Sequence, residues 1–132
     1  MKDKVLVDTS IWIEFFKKKE APIREGLIQL LERGAACYIG IIALELYRGA
    51  KTEREVAVLD DLFMSIENVT EGNETHKEAG LMGRVLAQQG ITVGAVDLLI
   101  ARLALENALS LFSLDNHFDA IAQWFPLKRY QV

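Results

Sequence analysis

Two carboxylates of this 132-residue chain stand at the ends of short apolar runs. Asp8 follows KVLV, and Asp115 follows LSLFSL, two segments whose composition predicts β-strands. In an open parallel sheet between helices, the functional crevice lies beyond the carboxyl ends of the strands. Both aspartates therefore stand where a site that binds a metal ion or a substrate is expected.

Two further carboxylates lie inside apolar segments, Glu45 in IIALELYRG and Asp97 in VGAVDLLIARLA. A buried, ionised carboxylate needs a cation, a set of hydrogen-bond donors or a raised pKa. Structural explanations are open for both residues. Asp97 is placed to act as the N-cap of a helix LLIARLAL, and Glu45 is placed to pair with Arg48 one turn later.

Together, these four carboxylates are expected to face one edge of the sheet, where they would repel one another without a counter-charge. Such a set of hard oxygen ligands suits Mg²⁺ or Mn²⁺. A zinc site is disfavoured, because the chain has one cysteine and no pair of histidines at zinc spacing. Divalent ions in an acidic pocket activate water for phosphodiester hydrolysis, which is the chemistry that the residues predict.

Three polar side chains adjoin the predicted pocket. Thr9 and Ser10 are placed to position a metal-bound water or to hydrogen-bond Asp8, although both, and Ser10 in particular, also suit the start of the helix IWIEFF. His117 follows Asp115 by two residues, which suggests a general base. Because metal-bound water already supplies the nucleophile in this scheme, we expect His117 to be peripheral.

Strand-like runs alternate with helical patterns along the whole chain. Parallel strands need crossover connections, so the alternation predicts an α/β fold with three layers, α/β/α, around a mainly parallel sheet. We expect a single domain over residues 1–132. Gly80 and Gly83 lie in one predicted helix and indicate close packing against a neighbour. The predicted strands are KVLV, AACYI, SIENVT, LSLFSL and LKRYQV.

The formal net charge of −4 disfavours a broadly basic nucleic-acid surface. Acids gathered around metal ions reverse the local field, so nucleic acid stays open as a substrate of a local site. Cys37 is the only cysteine, which excludes an internal disulfide. No apolar run approaches the ~20 residues of a membrane span, and MKDKVLVD lacks the features of a signal peptide. These features predict a cytoplasmic protein that does not bind membranes.

Four motifs in order resemble those of the PIN-domain family, and more narrowly its VapC-type toxins, which are the ribonucleases of toxin–antitoxin pairs. VLVDTSIWIEFF is similar to the family's first strand, which ends in Asp with Thr or Ser following. IIALELYRGA and VDLLIARLA resemble the second and third motifs at Glu45 and Asp97. LFSLDNHFDAI resembles the last motif at Ser113, Asp115 and Phe118. The similarity covers essentially the whole chain.

The resemblance implies that Asp8, Glu45, Asp97 and Asp115 hold one or two Mg²⁺ or Mn²⁺ ions for endoribonuclease activity. Asp119 corresponds to a position that is acidic in only some members, and it is expected either to help the pocket or to face water. Ser113 stands where Thr is common and keeps the hydroxyl. The family further implies an RNA substrate, a homodimer and a cognate VapB-like antitoxin that covers the active-site groove, for which the aromatic helix IWIEFF is a suitable border.

Three basic residues lie near the acids in sequence and are candidates to hold RNA phosphates: Arg48, Lys51 and Arg102. For Arg102, a structural ion pair within its own helix is an alternative.

Two other functions share parts of this pattern. A receiver-like signalling module binds Mg²⁺ and accepts phosphate on an aspartate, but it requires adjacent acids after the first strand and an acceptor Asp at the end of the third. Here the first strand ends in VDTS, and Asp60 and Asp61 lie in a helical pattern. A degenerate PIN fold used only for binding is the second alternative, and the intact acidic set argues against it.

Overall fold

A computed structural model describes residues 3–17 and 21–132 of the chain. Within these ranges five short strands alternate with seven helices. In chain order they are β1 Val5–Val7, α1 Thr9–Lys17, α2 Ala21–Glu32, β2 Ala36–Tyr38, α3 Gly40–Gly49, α4 Glu53–Ser65, β3 Glu67–Asn68, α5 Thr75–Gln88, α6 Ala95–Glu106, β4 Ser110–Phe112, α7 His117–Trp124 and β5 Lys128–Arg129.

The five strands form one sheet in the order β3-β2-β1-β4-β5, and every neighbouring pair is parallel. All three residues of β1 are buried, as expected for a central strand with helices over both faces. This arrangement confirms the predicted α/β/α fold. The chain adds β2 and β3 on one side of β1 and β4 and β5 on the other, so the strand order reverses between β1 and β4. Ligand crevices form at such a reversal point.

The helices cover the sheet with apolar faces that match the sequence pattern. Ile11 and Trp12 of α1 are buried completely, while Phe16 is 38% exposed. The rings of Trp12, Phe15 and Phe16 lie 5.5 to 6.4 Å apart, so these aromatic residues share one face that runs from the core to the surface. α6 buries Ile100, Ala101, Leu103 and Ala104, which agrees with the predicted helix between other elements. In the described ranges, no helix has both the length and the apolar character needed to cross a membrane.

Two element boundaries differ from those predicted. α1 begins at Thr9, because the carbonyl oxygen of Asp8 already accepts hydrogen bonds from the backbone N–H groups of Ile11 at 3.1 Å and Trp12 at 3.3 Å. Asp8 is therefore the residue that precedes the helix, and Ser10 is not its cap. The last strand is limited to Lys128–Arg129, because only these residues pair with β4.

The two glycines of α5 have different surroundings. A Cβ built on Gly83 would lie 2.7 Å from Cδ1 of Leu98 on α6, whereas a Cβ on Gly80 would meet no atom within 4 Å. The predicted close packing is thus confirmed at Gly83 and wrong at Gly80, which lies on the exposed side of the helix.

We expect Gly80→Ala to raise the free energy of unfolding by about 0.5–1 kcal/mol, because alanine is the better helix former and meets no neighbour. Gly83→Ala gains the same helix propensity but must displace the end of Leu98, so its net effect should be smaller than that of Gly80→Ala or destabilising. Urea denaturation of both variants beside the wild type measures the difference. Equal gains in the two variants would contradict the packing described at Gly83.

Candidate active site

Asp8 occupies the reversal point of the sheet at the end of β1, and its backbone N–H donates to the carbonyl oxygen of Phe112 at 2.9 Å. The residue is only 8% exposed. Its carboxylate oxygen Oδ2 accepts hydrogen bonds from Ser113 Oγ at 2.8 Å and from Ser10 Oγ at 3.0 Å. Both hydroxyls therefore contact the same oxygen, and Oδ1 accepts no hydrogen bond from the described residues.

The same two hydroxyls also accept hydrogen bonds from the loop that follows β4. Ser113 Oγ accepts from the backbone N–H of Asp115, and Ser10 Oγ accepts from that of Leu114, both at 3.0 Å. Each hydroxyl has one proton, which is used on Asp8, and lone pairs that receive a backbone N–H. The serines thus fix the start of the β4–α7 loop relative to Asp8.

Glu45 reaches the site from α3, and its Oε1 accepts a hydrogen bond from Thr9 Oγ1 at 2.8 Å. The alternative pairing with Arg48 does not form in the described part of the chain, where Arg48 is exposed. Thr9 thus contacts Glu45, whereas Ser10 contacts Asp8. The predicted hydrogen bond to Asp8 therefore forms from Ser10, whereas Thr9 donates to Glu45 instead.

Asp97 and Asp115 face each other across the site, with His117 beside both. Nδ1 of His117 lies 3.5 Å from Oδ2 of Asp97 and 3.3 Å from Oδ1 of Asp115. One ligand atom from each of the three residues can be chosen so that all lie within 4.8 Å of one another. The side chain of His117 is 74% exposed, yet its Nδ1 lies within 3.5 Å of a carboxylate oxygen of each aspartate.

Asp97 is not the N-cap of its helix, so that structural alternative is wrong. α6 begins at Ala95 after Gly94, and Asp97 lies in its first turn. Burial raises the pKa of Asp97, and the charges of Asp115 and Asp8 raise it further, while His117 acts in the opposite direction. The raised pKa therefore reflects first the burial of Asp97 and then the nearness of other carboxylates.

The chemistry of this donor set fits a divalent cation. Hard cations prefer carboxylate oxygens, and the imidazole nitrogen of His117 is an acceptable further ligand for a transition ion. Oδ1 of Asp8 is available, and the oxygens of Asp97 and Asp115 are close together. A cation here would offset the repulsion between Asp97 and Asp115.

Asp119, expected either to help the pocket or to face water, is largely exposed and pairs with a residue of β5. It lies on α7, is 64% exposed, and accepts a hydrogen bond from Nη1 of Arg129 at 2.6 Å. Arg129 was not among the residues predicted from the sequence. In the sequence, Arg129 is an arginine in a short final strand, and the spacing of residues does not indicate which loop its side chain reaches.

The three predicted phosphate-binding residues also differ from one another. Arg48 and Lys51 are exposed near the end of α3. Arg102 donates through Nε to Glu106 at 2.8 Å, so it forms the ion pair within its own helix that was the alternative to phosphate binding. This hydrogen bond is the main reason that the pKa of Glu106 is lowered.

Comparisons with known proteins agree with this geometry. The model of the PIN domain family matches residues 5–123. A VapC ribonuclease of Mycobacterium bovis is 30% identical over 124 residues, which cover 90% of this chain and 92% of the relative. The tRNA(fMet)-specific endonuclease VapC of Shigella flexneri is 31% identical over 102 residues, 74% of this chain and 76% of the relative.

A solved structure resembles the fold over almost its full length. A chain in the crystal structure of DNA-bound VapBC from Salmonella typhimurium superposes with a TM-score of 0.79 and 26% sequence identity. The superposition covers 98% of both chains.

We expect Ser113→Ala to lower the free energy of unfolding by about 1–3 kcal/mol, because it removes a donor from the buried Asp8 carboxylate and an acceptor from the Asp115 N–H. Ser113→Thr keeps the hydroxyl and serves as the matched control, with a smaller expected loss. Urea denaturation at neutral pH measures both. If the alanine and threonine variants are equally stable, the hydroxyl does not hold these groups together.

Proposed function

The chain belongs to the PIN domain family and, within it, to the VapC ribonucleases, and on that basis we propose that it is a metal-dependent endoribonuclease that acts as the toxin of a type II toxin–antitoxin pair. The family membership confirms the resemblance predicted from the four motifs. One observation carries the proposal: Asp8 is buried where the strand order reverses, and ligand atoms of Asp97, Asp115 and His117 lie within 4.8 Å of one another.

In this proposal Asp8, Glu45, Asp97 and Asp115 hold Mg²⁺ or Mn²⁺. A bound divalent ion would supply an acidified water and would stabilise charge on the phosphate. The other residues orient the acids. Ser10 and Ser113 both donate to Oδ2 of Asp8, which leaves Oδ1 for a ligand, and Thr9 orients Glu45.

Substrate binding is proposed to involve Arg48 and Lys51, because both are exposed and follow Glu45 on the same helix or directly after it. Their charges would offset the acidic character of the site towards RNA phosphates. Arg102 is left out of this role because its guanidinium binds Glu106.

The receiver-like alternative is not favoured. β3 is the edge strand Glu67–Asn68 and does not end in an aspartate, and Asp60 and Asp61 lie within the helix α4. A PIN fold used only for binding would not require Ser10, Ser113 and Thr9 to orient the carboxylates, so the enzymatic function is the better explanation.

We expect the purified protein to cleave RNA with Mn²⁺ or Mg²⁺ and to lose this activity in excess EDTA. Asp8→Asn should lower the cleavage rate by at least about 100-fold, because removal of a ligand should cost more than the 10–100-fold typical of outer-shell residues. Asp61→Asn changes the same charge on the exposed side of α4 and is the matched control. Electron paramagnetic resonance of added Mn²⁺ reports metal binding separately.

Equal cleavage by the wild type and Asp8→Asn would refute the assigned site. If the wild type binds Mn²⁺ but cleaves none of the RNAs tried, the proposal of a nuclease fails in favour of the binding function.

We also propose a VapB-like antitoxin and a second copy of this chain as partners. The similar Salmonella typhimurium structure is a DNA-bound VapBC complex, which supports an antitoxin as partner. On this chain, Ile13 and Phe16 of α1 are 44% and 38% exposed, and Leu114 beside Asp115 is 46% exposed. Exposed apolar residues at an acidic site suit an amphipathic segment with a basic side chain.

We expect Phe16→Ser to weaken binding of the proposed cognate antitoxin by about 10-fold or more, because exposed aromatic residues often dominate interfaces. Met64→Ser is the matched control, since Met64 is 86% exposed on α4. Asp8→Asn should still bind. Calorimetry measures the affinities, and light scattering after size exclusion measures the stoichiometry. Binding within twofold of wild type in Phe16→Ser would exclude α1 from the interface.

A further inference from the structure

Arg129 lies on the edge strand β5, directly beside the strand that leads to Asp115. β5 pairs with β4 in parallel, with Arg129 opposite Leu111, and the backbone N–H of Tyr130 donates to the carbonyl oxygen of Leu111 at 2.8 Å. The Arg129 side chain is only 16% exposed. The register of this strand pair therefore brings a largely buried cation to the start of the β4–α7 loop.

The guanidinium of Arg129 binds both ends of that loop. Nη2 donates to the carbonyl oxygen of Ser113 at 2.8 Å, and Nη1 donates to Oδ1 of Asp119 at 2.6 Å. Its Cζ lies 5.8 Å from the ring centroid of the buried Phe118. Because the donors of a guanidinium form a rigid planar fork, the two hydrogen bonds fix Ser113 and the first turn of α7 relative to each other.

Ser113 connects this fork to the acids. Its carbonyl oxygen accepts from Arg129, while its hydroxyl donates to Asp8 and accepts from the N–H of Asp115. A change in the position of the Ser113 backbone would therefore move the hydroxyl and the Asp115 carboxylate together. Arg129 itself contacts neither Asp8 nor Asp115 by any hydrogen bond or ion pair among the described residues.

We propose that Arg129 is a positioning residue: it holds the β4–α7 loop so that Asp115 stays aligned with Asp8 and Asp97, and Asp119 is its counter-ion rather than a metal ligand. The consequence for catalysis rests on the proposed function. The effect on loop geometry and metal affinity does not depend on which RNA is cleaved.

A basic residue near a nuclease site would ordinarily be assigned to a substrate phosphate. Arg129 is poorly placed for that role, because both of its terminal nitrogens already bind protein oxygens and its side chain is largely buried. A phosphate contact would act on substrate binding and its salt dependence, whereas positioning would act on metal affinity and kcat. These readouts separate the two roles.

The test uses full-length Arg129→Lys and Arg129→Gln, with Lys128→Gln as the control because Lys128 is the exposed neighbour on the same strand. Measurements are made at a temperature at which circular dichroism shows every variant to be folded. We expect both Arg129 variants to bind Mn²⁺ about 10- to 100-fold more weakly, as for other residues that orient metal ligands. Their kcat should fall while KM for RNA stays within twofold.

Hydrogen exchange provides a readout that requires neither metal nor RNA. Amides of residues 113–119 should exchange faster in both Arg129 variants than in the wild type and in Lys128→Gln. Asp119→Asn should change Mn²⁺ affinity less than Arg129→Gln does, and the double variant should be no weaker than Arg129→Gln alone, because both changes break one interaction.

Three results would overturn the inference. One is Mn²⁺ affinity and loop exchange in the Arg129 variants within twofold of wild type. The second is a raised KM with a shallower salt dependence and unchanged kcat, which would indicate a phosphate contact. The third is an additive loss of Mn²⁺ affinity in the double variant, which would make Asp119 an independent ligand. If wild type cleaves no RNA while the metal and exchange effects appear, the proposed nuclease function fails and the positioning role stands.

Discussion

The negative charge of Asp8 is held almost out of water at the end of the central strand, and the surrounding structure must compensate for it. Removing an ion from water is costly unless donors or a counter-charge replace its hydration. Two serine hydroxyls meet part of this need, but both bind the same carboxylate oxygen. In the proposed function, the remaining oxygen and the neighbouring acids bind the cation that the reaction needs.

The reversal of strand order explains why these acids meet. β1 and β4 are adjacent and parallel, so their carboxyl ends place Asp8 and the Ser113–Asp115 loop at the same edge. α3 and α6 begin at that edge and add Glu45 and Asp97. The strand order thus brings acidic side chains to one edge of the sheet. Hydroxyl groups then orient their carboxylates by hydrogen bonds.

The orientation of the acidic side chains depends on contacts between residues that are distant in sequence. Ser10 and Ser113 join the first and fourth strand ends, Thr9 joins α1 to α3, and Arg129 joins β5 to the β4–α7 loop. Ser10 and Ser113 satisfy the carboxylate of Asp8, which is buried and would otherwise lack donors. The same contacts restrict the loop that carries Asp115, so the stability of the loop and the geometry of the site are coupled.

The sequence by itself determined the order of strands and helices, the α/β class and the four acids, because apolar periodicity and strand-end position are local properties. The family followed from the order of its motifs. Tertiary structure alone decided that α6 begins before Asp97, that Gly83 rather than Gly80 meets a neighbour, and that Asp119 binds Arg129. These features depend on helix packing and on the register of β4 with β5, and no spacing along the chain encodes which residues such long-range pairings bring together.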